Sequence, residues 1–295
     1  MLRYSRHEFN SFYLQHGERQ HHQLDATDAN WHTDGTPHID HNHLIVAIEG
    51  LVNGKRPTPG TTPAVEMVVE TFSLFEHGLF ADANLEMTGA VRTDSYHSQT
   101  GVGGGQRGDL RSNGEIKLVD NVVVNGNATG RTFALSGAAT ITGVKTTTTQ
   151  SVALMPVSMP SGLPDLGEIE VENTETRTLE PGSYLVSDLT VGSNGTLVID
   201  NTDGPVTLYV TGDVDISTNN GVVTTDPDPE KFAVYVVGDG DVKIQNQGHF
   251  HGVIYAPASL LDLSGAGHFF GAFVGKNVKV SNSVTLHYDT ALRGE

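Results

Sequence analysis

Residues 248–289 read GHFHGVIYAPASLLDLSGAGHFFGAFVGKNVKVSNSVTLHYD. Within this stretch Gly248, His249, Phe250, Gly252 and Ile254 recur as Gly267, His268, Phe269, Gly271 and Phe273, a shift of 19. Ile244, just ahead of it, recurs as Leu263 at the same shift, and Leu263 recurs as Val280 at a shift of 17. A period near ~18 residues, made of short apolar segments separated by small polar corners, is the pattern of stacked parallel β-strands. One turn of such a chain cannot bury its apolar positions alone. Stacked turns place Ile244 over Leu263 over Val280 in one interior column and Phe250, Phe269 and Leu286 in a second. Antiparallel sandwiches also have short strands and turns, but they do not dictate side-chain identity at a fixed shift.

Working outward, weaker copies appear as LEMTGAV from Leu85, VVVNGNAT from Val122, FALSGAATITG from Phe133, LTVGSNGTLVI from Leu189, VDISTNNGVV from Val214 and VKIQNQGHFHG from Val242. Their corners carry Gly, Asn and Ser, where glycine and asparagine take left-handed backbone angles at little steric cost. The fold expected is therefore all-β: a right-handed parallel β-helix over residues 79–295. Between 146 and 182 the pattern lapses into Thr, Met, Pro and Glu, which reads as an extended excursion on the outside. The repeats on either side share one motif, so they read as one interrupted helix. Residues 1–78 form a different segment, His-rich and Pro-interrupted. A helix is expected near Glu8–Gln23, and an amphipathic capping helix over Ala64–Phe80 follows from the approximately helical spacing of Val65, Val68, Val69, Phe72, Leu74, Phe75 and Leu79.

The chain of 295 residues carries 17 Lys+Arg against 35 Asp+Glu, a formal charge of −18 with its 14 His neutral. Nucleic acid is excluded as a partner, because phosphate contacts need a basic stripe. The absence of cysteine removes disulfides, thiolate metal sites and cysteine nucleophiles together. No apolar run approaches the roughly 18 residues that span a bilayer, so no transmembrane segment is expected in the chain as given.

Three stretches carry a family resemblance: FADANLEMTGAVRTDSYHSQTG (Phe80–Gly101), LEPGSYLVSDLTV (Leu179–Val191) and GVIYAPASLLDLSGAGHFFGAFVGKNVKVSNSVTLHYDTAL (Gly252–Leu292). Together they resemble the β-helical domain of undefined biochemical role found in bacterial surface proteins of the pilus-assembly, or PilX-like, kind. Members commonly finish on a His-Tyr-Asp signature, here His287, Tyr288 and Asp289. The resemblance implies an extracellular, cell-surface protein without catalytic residues, whose partners are further copies or other surface and pilus subunits. A surface adhesin that binds glycan or protein through the outer face is the alternative, and a glycan-active enzyme ranks third.

The chemistry-bearing residues point the same way. Asn201-Thr202-Asp203-Gly204 resembles a motif of β-helical polygalacturonases, and Asp213/Asp215 and Asp239/Asp241 are paired acids. No adjacent Asp-Asp follows the first motif, however, and Gly248-His249-Phe250 stands where Gly-His-Gly would be needed. Asp-Gly between two strand-like runs is a turn signal. Thr93-Asp94-Ser95-Tyr96-His97-Ser98 contains Ser, His and Asp, but neighbours on a strand alternate faces, so the segment reads as a polar first turn. Gly101–Gly105 lacks the Lys-Ser/Thr of a phosphate loop and reads as a flexible loop. No cofactor is implied. A structural divalent cation has two weak sets of candidate ligands: His38, Asp40, His41 and His43 in the N-terminal cluster, and His249 with His268 on adjacent outer strands.

Overall fold

The computed structural model describes residues 74–218 and 221–293, together with the backbone of four short strands nearer the N-terminus. Two compact units divide at Leu74 and Phe75. In the first, Phe12–His16 pairs antiparallel with Gln20–Leu24, and His43–Ile48 with Val65–Glu70. Both helices expected from the sequence are thereby corrected. The segment from Ala64 holds the strand Val65–Glu70, followed by a second strand at Leu79–Ala81. Its Val-Glu-Met-Val-Val-Glu run is rich in β-branched residues, which lose side-chain freedom in a helix and gain packing in a sheet.

The second unit is all-β and its strands pair in parallel, an arrangement compatible with a β-helix. Each turn of chain lays down one strand in each of three rows. Four such turns occupy residues 206–224, 232–251, 253–271 and 273–289; the registers of the last three reproduce the shifts read from the sequence, whereas the first is offset from the second by 26 residues at Val206 and Phe232 and by 28 at Val214 and Val242. Ile244 lies opposite Leu263 and Leu263 opposite Val280; Phe250 lies opposite Phe269 and Phe269 opposite Leu286. All six are buried. Several corners behave as expected, although the Asn125-Gly126-Asn127 corner contains no left-handed residue. Gly89, Asp120 and Asn282 fall in one register line at φ 99°, 71° and 70°. At Gly271 (φ 133°) a Cβ would stand 2.0 Å from the carbonyl oxygen of Gly252, its partner one turn away, so that corner admits only glycine.

The order of stacking differs from the order of sequence. The turn at 273–289 is covered by residues 79–97: Phe273 pairs with Leu79, Val280 with Met87 and Leu286 with Thr93. Turns at 110–124 and 128–141 follow on the far side. Residues 79–97 are thus an interior turn of the stack, which corrects the expectation of a polar first turn at Thr93–Ser98. Thr93 and Ser95 are buried there, with Thr93 Oγ1 donating to the Gly108 carbonyl (2.9 Å) and Ser95 Oγ accepting from Arg107 N (3.1 Å). Gly101–Gly105, read as a loop, contains the strand Val102–Gly105, antiparallel to Arg92–His97.

The two halves of the repeat are therefore one stack, but the chain enters and leaves it in the middle. Residues 148–164 make the return journey along the outside. Thr148 N donates to Gly130 O (3.0 Å), Val152 exchanges two 2.8 Å bonds with the Asn113 side chain, Tyr255 donates its hydroxyl to Met155 O (2.6 Å) and Leu185 N donates to Pro164 O (2.9 Å). At about 4.8 Å per strand the row from Lys145–Thr147 back to Gly182–Val186 is about 40 Å tall, whereas these residues extended reach about 55 Å. The excursion is a strap of sufficient length, and pairing resumes at Ile169–Val171 and Thr176–Leu179, inside the stretch that reads as interrupted. Under the strap, Tyr209, Tyr235 and Tyr255 form a ladder with centroids 5.4 and 6.2 Å apart, and burial pushes the Tyr255 hydroxyl up to about 12.

The interior columns make a direct prediction. Phe269→Ala should cost about 3–5 kcal/mol in urea denaturation, and Phe269→Asp should unfold the protein, because an unpaired buried charge is prohibitive. Unchanged melting of Phe269→Asp would refute the register.

Candidate functional site

The third row of strands carries the densest chemistry of the described residues. His249, His251, His268, Phe270 and His287 project from three consecutive turns, and register puts His249 opposite His268, His251 opposite Phe270 and Phe270 opposite His287. The rings of His251 and Phe270 stack at 4.4 Å with planes 3° apart, and those of Phe270 and His287 at 4.4 Å and 20°. The sequence places these imidazoles on the outer face, and there they lie. The next member comes from a turn distant in sequence. Across the junction with residues 79–97, Asp94 sits opposite His287, and its Oδ1 lies 2.5 Å from His287 Nδ1. His287 Nε2 lies 2.9 Å from His268 Nδ1, with ring planes 4° apart.

These distances order the protons. A carboxylate only accepts, so His287 carries a proton on Nδ1; when His287 is neutral its Nε2 accepts from His268 Nδ1–H, which leaves the lone pair of His268 on Nε2. Burial is the largest cause holding His268 below the ordinary histidine range, with Asp94 opposing it. His251 is lowered chiefly by burial, while its contact with the Pro227 carbonyl opposes the shift.

The His-Tyr-Asp run acts as a clasp, since each member ties the last turn to residues near 75–98. His287 takes Asp94. Tyr288, fully buried, donates to the Phe75 carbonyl (2.7 Å). Asp289, also buried, accepts from Ser98 N (3.0 Å) and Ala291 N (3.1 Å). Arg293 completes it, pairing with Asp109 Oδ2 at 2.9 Å and donating to the Glu76 carbonyl. His77 lies beside Arg111 and Arg293, and burial first, then these cations, depress it to about 4.

Other residues singled out by sequence have structural duties. Asp188 Oδ1 accepts from Asp213 N (2.9 Å) and Asp213 Oδ1 from Asp241 N (2.8 Å), a ladder of carboxylates holding successive corners. Asn201 is fully buried and clamps the next turn through Asp226 N (2.7 Å) and Asp226 O (2.9 Å), while Asp203 is exposed. His38, Asp40, His41 and His43 lie outside the residues whose side chains are described. Among the described residues no three His, Asp or Glu side chains converge as a metal cluster.

The family model described as "Domain of unknown function (DUF7305)" matches residues 141–220 and again 188–295, together just over half of the chain. The chain belongs to that family. The overlap of two matches at 188–220 is what a repeated turn produces. The DUF7305 region includes His249, His268 and the His-Tyr-Asp clasp, but it begins after Asp94 and Ser98, which the clasp requires. No curated protein and no solved structure matches the chain.

The clasp yields two predictions. Asp289→Ala strands two backbone donors and should lower stability by about 1–3 kcal/mol for each buried donor left unpaired, read as a fall in the urea midpoint at constant slope. His77, neutral in the fold down to about 4, opposes folding once the unfolded histidine protonates below about 6.5. Its contribution is present above pH 6.5 and is lost as pH falls toward 4, by at most about 3 kcal/mol. His77→Gln should flatten that part of the stability–pH curve, and an unchanged curve would contradict the assignment.

Proposed function

We propose that the chain is a non-enzymatic structural protein of the bacterial surface, wound as a right-handed parallel β-helix and either displayed there or joined, with other copies or other surface subunits, into a pilus-like or other filament. Handedness follows from the strong preference of parallel crossovers for one sense, and every turn visits the three rows in the same order. One observation carries the assembly reading. The turn at 132–147 is the last of its stack, with Leu135 and Val144 exposed at 40% and 65%, and its strand edges have no further partner among the described residues. Such an edge is a template for another chain. The charge of −18 opposes close approach over about one Debye length, roughly 8–10 Å at moderate salt, so association rests on short-range contacts of this kind.

A second reading, an adhesin, draws on the half-buried His251–Phe270–His287 stack, whose flat rings suit the apolar face of a sugar. Light scattering and negative-stain electron microscopy separate the two. The assembly reading expects concentration-dependent association that rises with salt and is lost in Leu135→Lys/Val144→Lys with melting unchanged. Monomers under all conditions, with glycan-array binding abolished by Phe270→Ala, would replace it with adhesion.

A further inference from the structure

We propose that His249 and His268 form a binding site for a borderline divalent transition metal such as zinc, nickel or copper, with the Asp94–His287 pair as its positioning shell. The inference does not depend on the assembly reading.

Geometry supplies the first support. Two imidazoles bound to one tetrahedral ion at about 2.0–2.1 Å place their ring centroids about 5 Å apart, and those of His249 and His268 lie 5.4 Å apart with planes 89° to one another. The residues are opposite each other on adjacent strands, so the backbone ladder fixes the separation. His249 is exposed and His268 half-buried, which leaves an ion a path from solvent.

The second support is the proton order. A metal-binding histidine ordinarily donates its other ring N–H to a fixed acceptor, which sets the tautomer and the ring orientation. Here the acceptor is His287 Nε2 at 2.9 Å, itself fixed by Asp94 at 2.5 Å. With His287 neutral, His268 keeps its lone pair on Nε2, the nitrogen not engaged with His287. A core histidine or a bare surface ladder has no need of this chain, which reaches across 193 residues of sequence. Imidazole donors favour zinc, copper and nickel over magnesium or calcium. Two protein ligands leave the remaining positions to water.

The test uses the full chain. Because His38, His41 and His43 are a separate candidate set, the reference protein carries His38→Ala, His41→Ala and His43→Ala, and the readout is residue-resolved. Long-range proton–nitrogen NMR of the imidazoles before metal should show His268 protonated at Nδ1. Zinc titration should then shift the His268 Nε2 and His249 signals together, saturating at one ion with a submillimolar dissociation constant. His249→Ala, at an exposed position, should remove that saturation without changing melting. Asp94→Asn should weaken binding about 10–100-fold. His268 protonated at Nε2, or zinc-induced shifts that bypass His249 and His268, would overturn the site. Affinity unchanged in a folded Asp94→Asn would overturn the positioning role.

Discussion

A parallel strand at the edge of a stack presents a row of backbone N–H and C=O groups that something must pair, and in this chain the edge left by residues 273–289 is paired by residues 79–97. Everything else follows from that closure. Because the early turns are laid on the late ones, the chain needs a strap, residues 148–164, to carry it from one end of the stack to the other. Because backbone pairing alone would allow the junction to slip or open, side chains lock it. Tyr288 reaches Phe75 (2.7 Å), Asp289 reaches Ser98 (3.0 Å) and Arg293 reaches Asp109 (2.9 Å). Neutral and charge-assisted bonds of this kind contribute about 0.5–3 kcal/mol each.

Local periodicity made the registers legible. Ile244, Leu263 and Val280, and Phe250, Phe269 and Leu286, stack as the shifts of 19 and 17 require, since a fixed repeat in a parallel sheet maps directly onto vertical neighbours. Corners were legible for the same reason, as Asn282 and Gly89 show with their left-handed angles. The order of the turns was not. A repeat states that turns resemble one another, but not which turn lies on which, and residues 79–97 could as well have been a terminus. The only sequence-level hint is charge placed at equal depth in two copies, His287 against Asp94 and Lys279 against Glu86, and this has meaning only once the copies are set side by side.

The candidate site was half legible for that reason. His249 and His268 stood out as outward neighbours, but Asp94, which anchors His287 at the end of the row, belongs to a turn that the sequence puts at the other end. The expected helix over Ala64–Phe80 failed differently. Its apolar residues suited a helical period, yet Val65, Val68 and Val69 are β-branched, and the backbone is strand at Val65–Glu70. Short apolar runs do not discriminate between the two states by period alone.

The closure of the stack is tested most directly by proximity. The chain lacks cysteine, so Glu86→Cys with Lys279→Cys introduces a single thiol pair, on residues that face each other across the junction and would be far apart if the turns stacked in sequence order. A thiol-to-thiol reagent reaching no farther than two strand spacings, about 10 Å, should link the two within one monomer, at a yield independent of protein concentration. Absence of an intramolecular link in the folded double variant, with or without links between molecules, would contradict the closure.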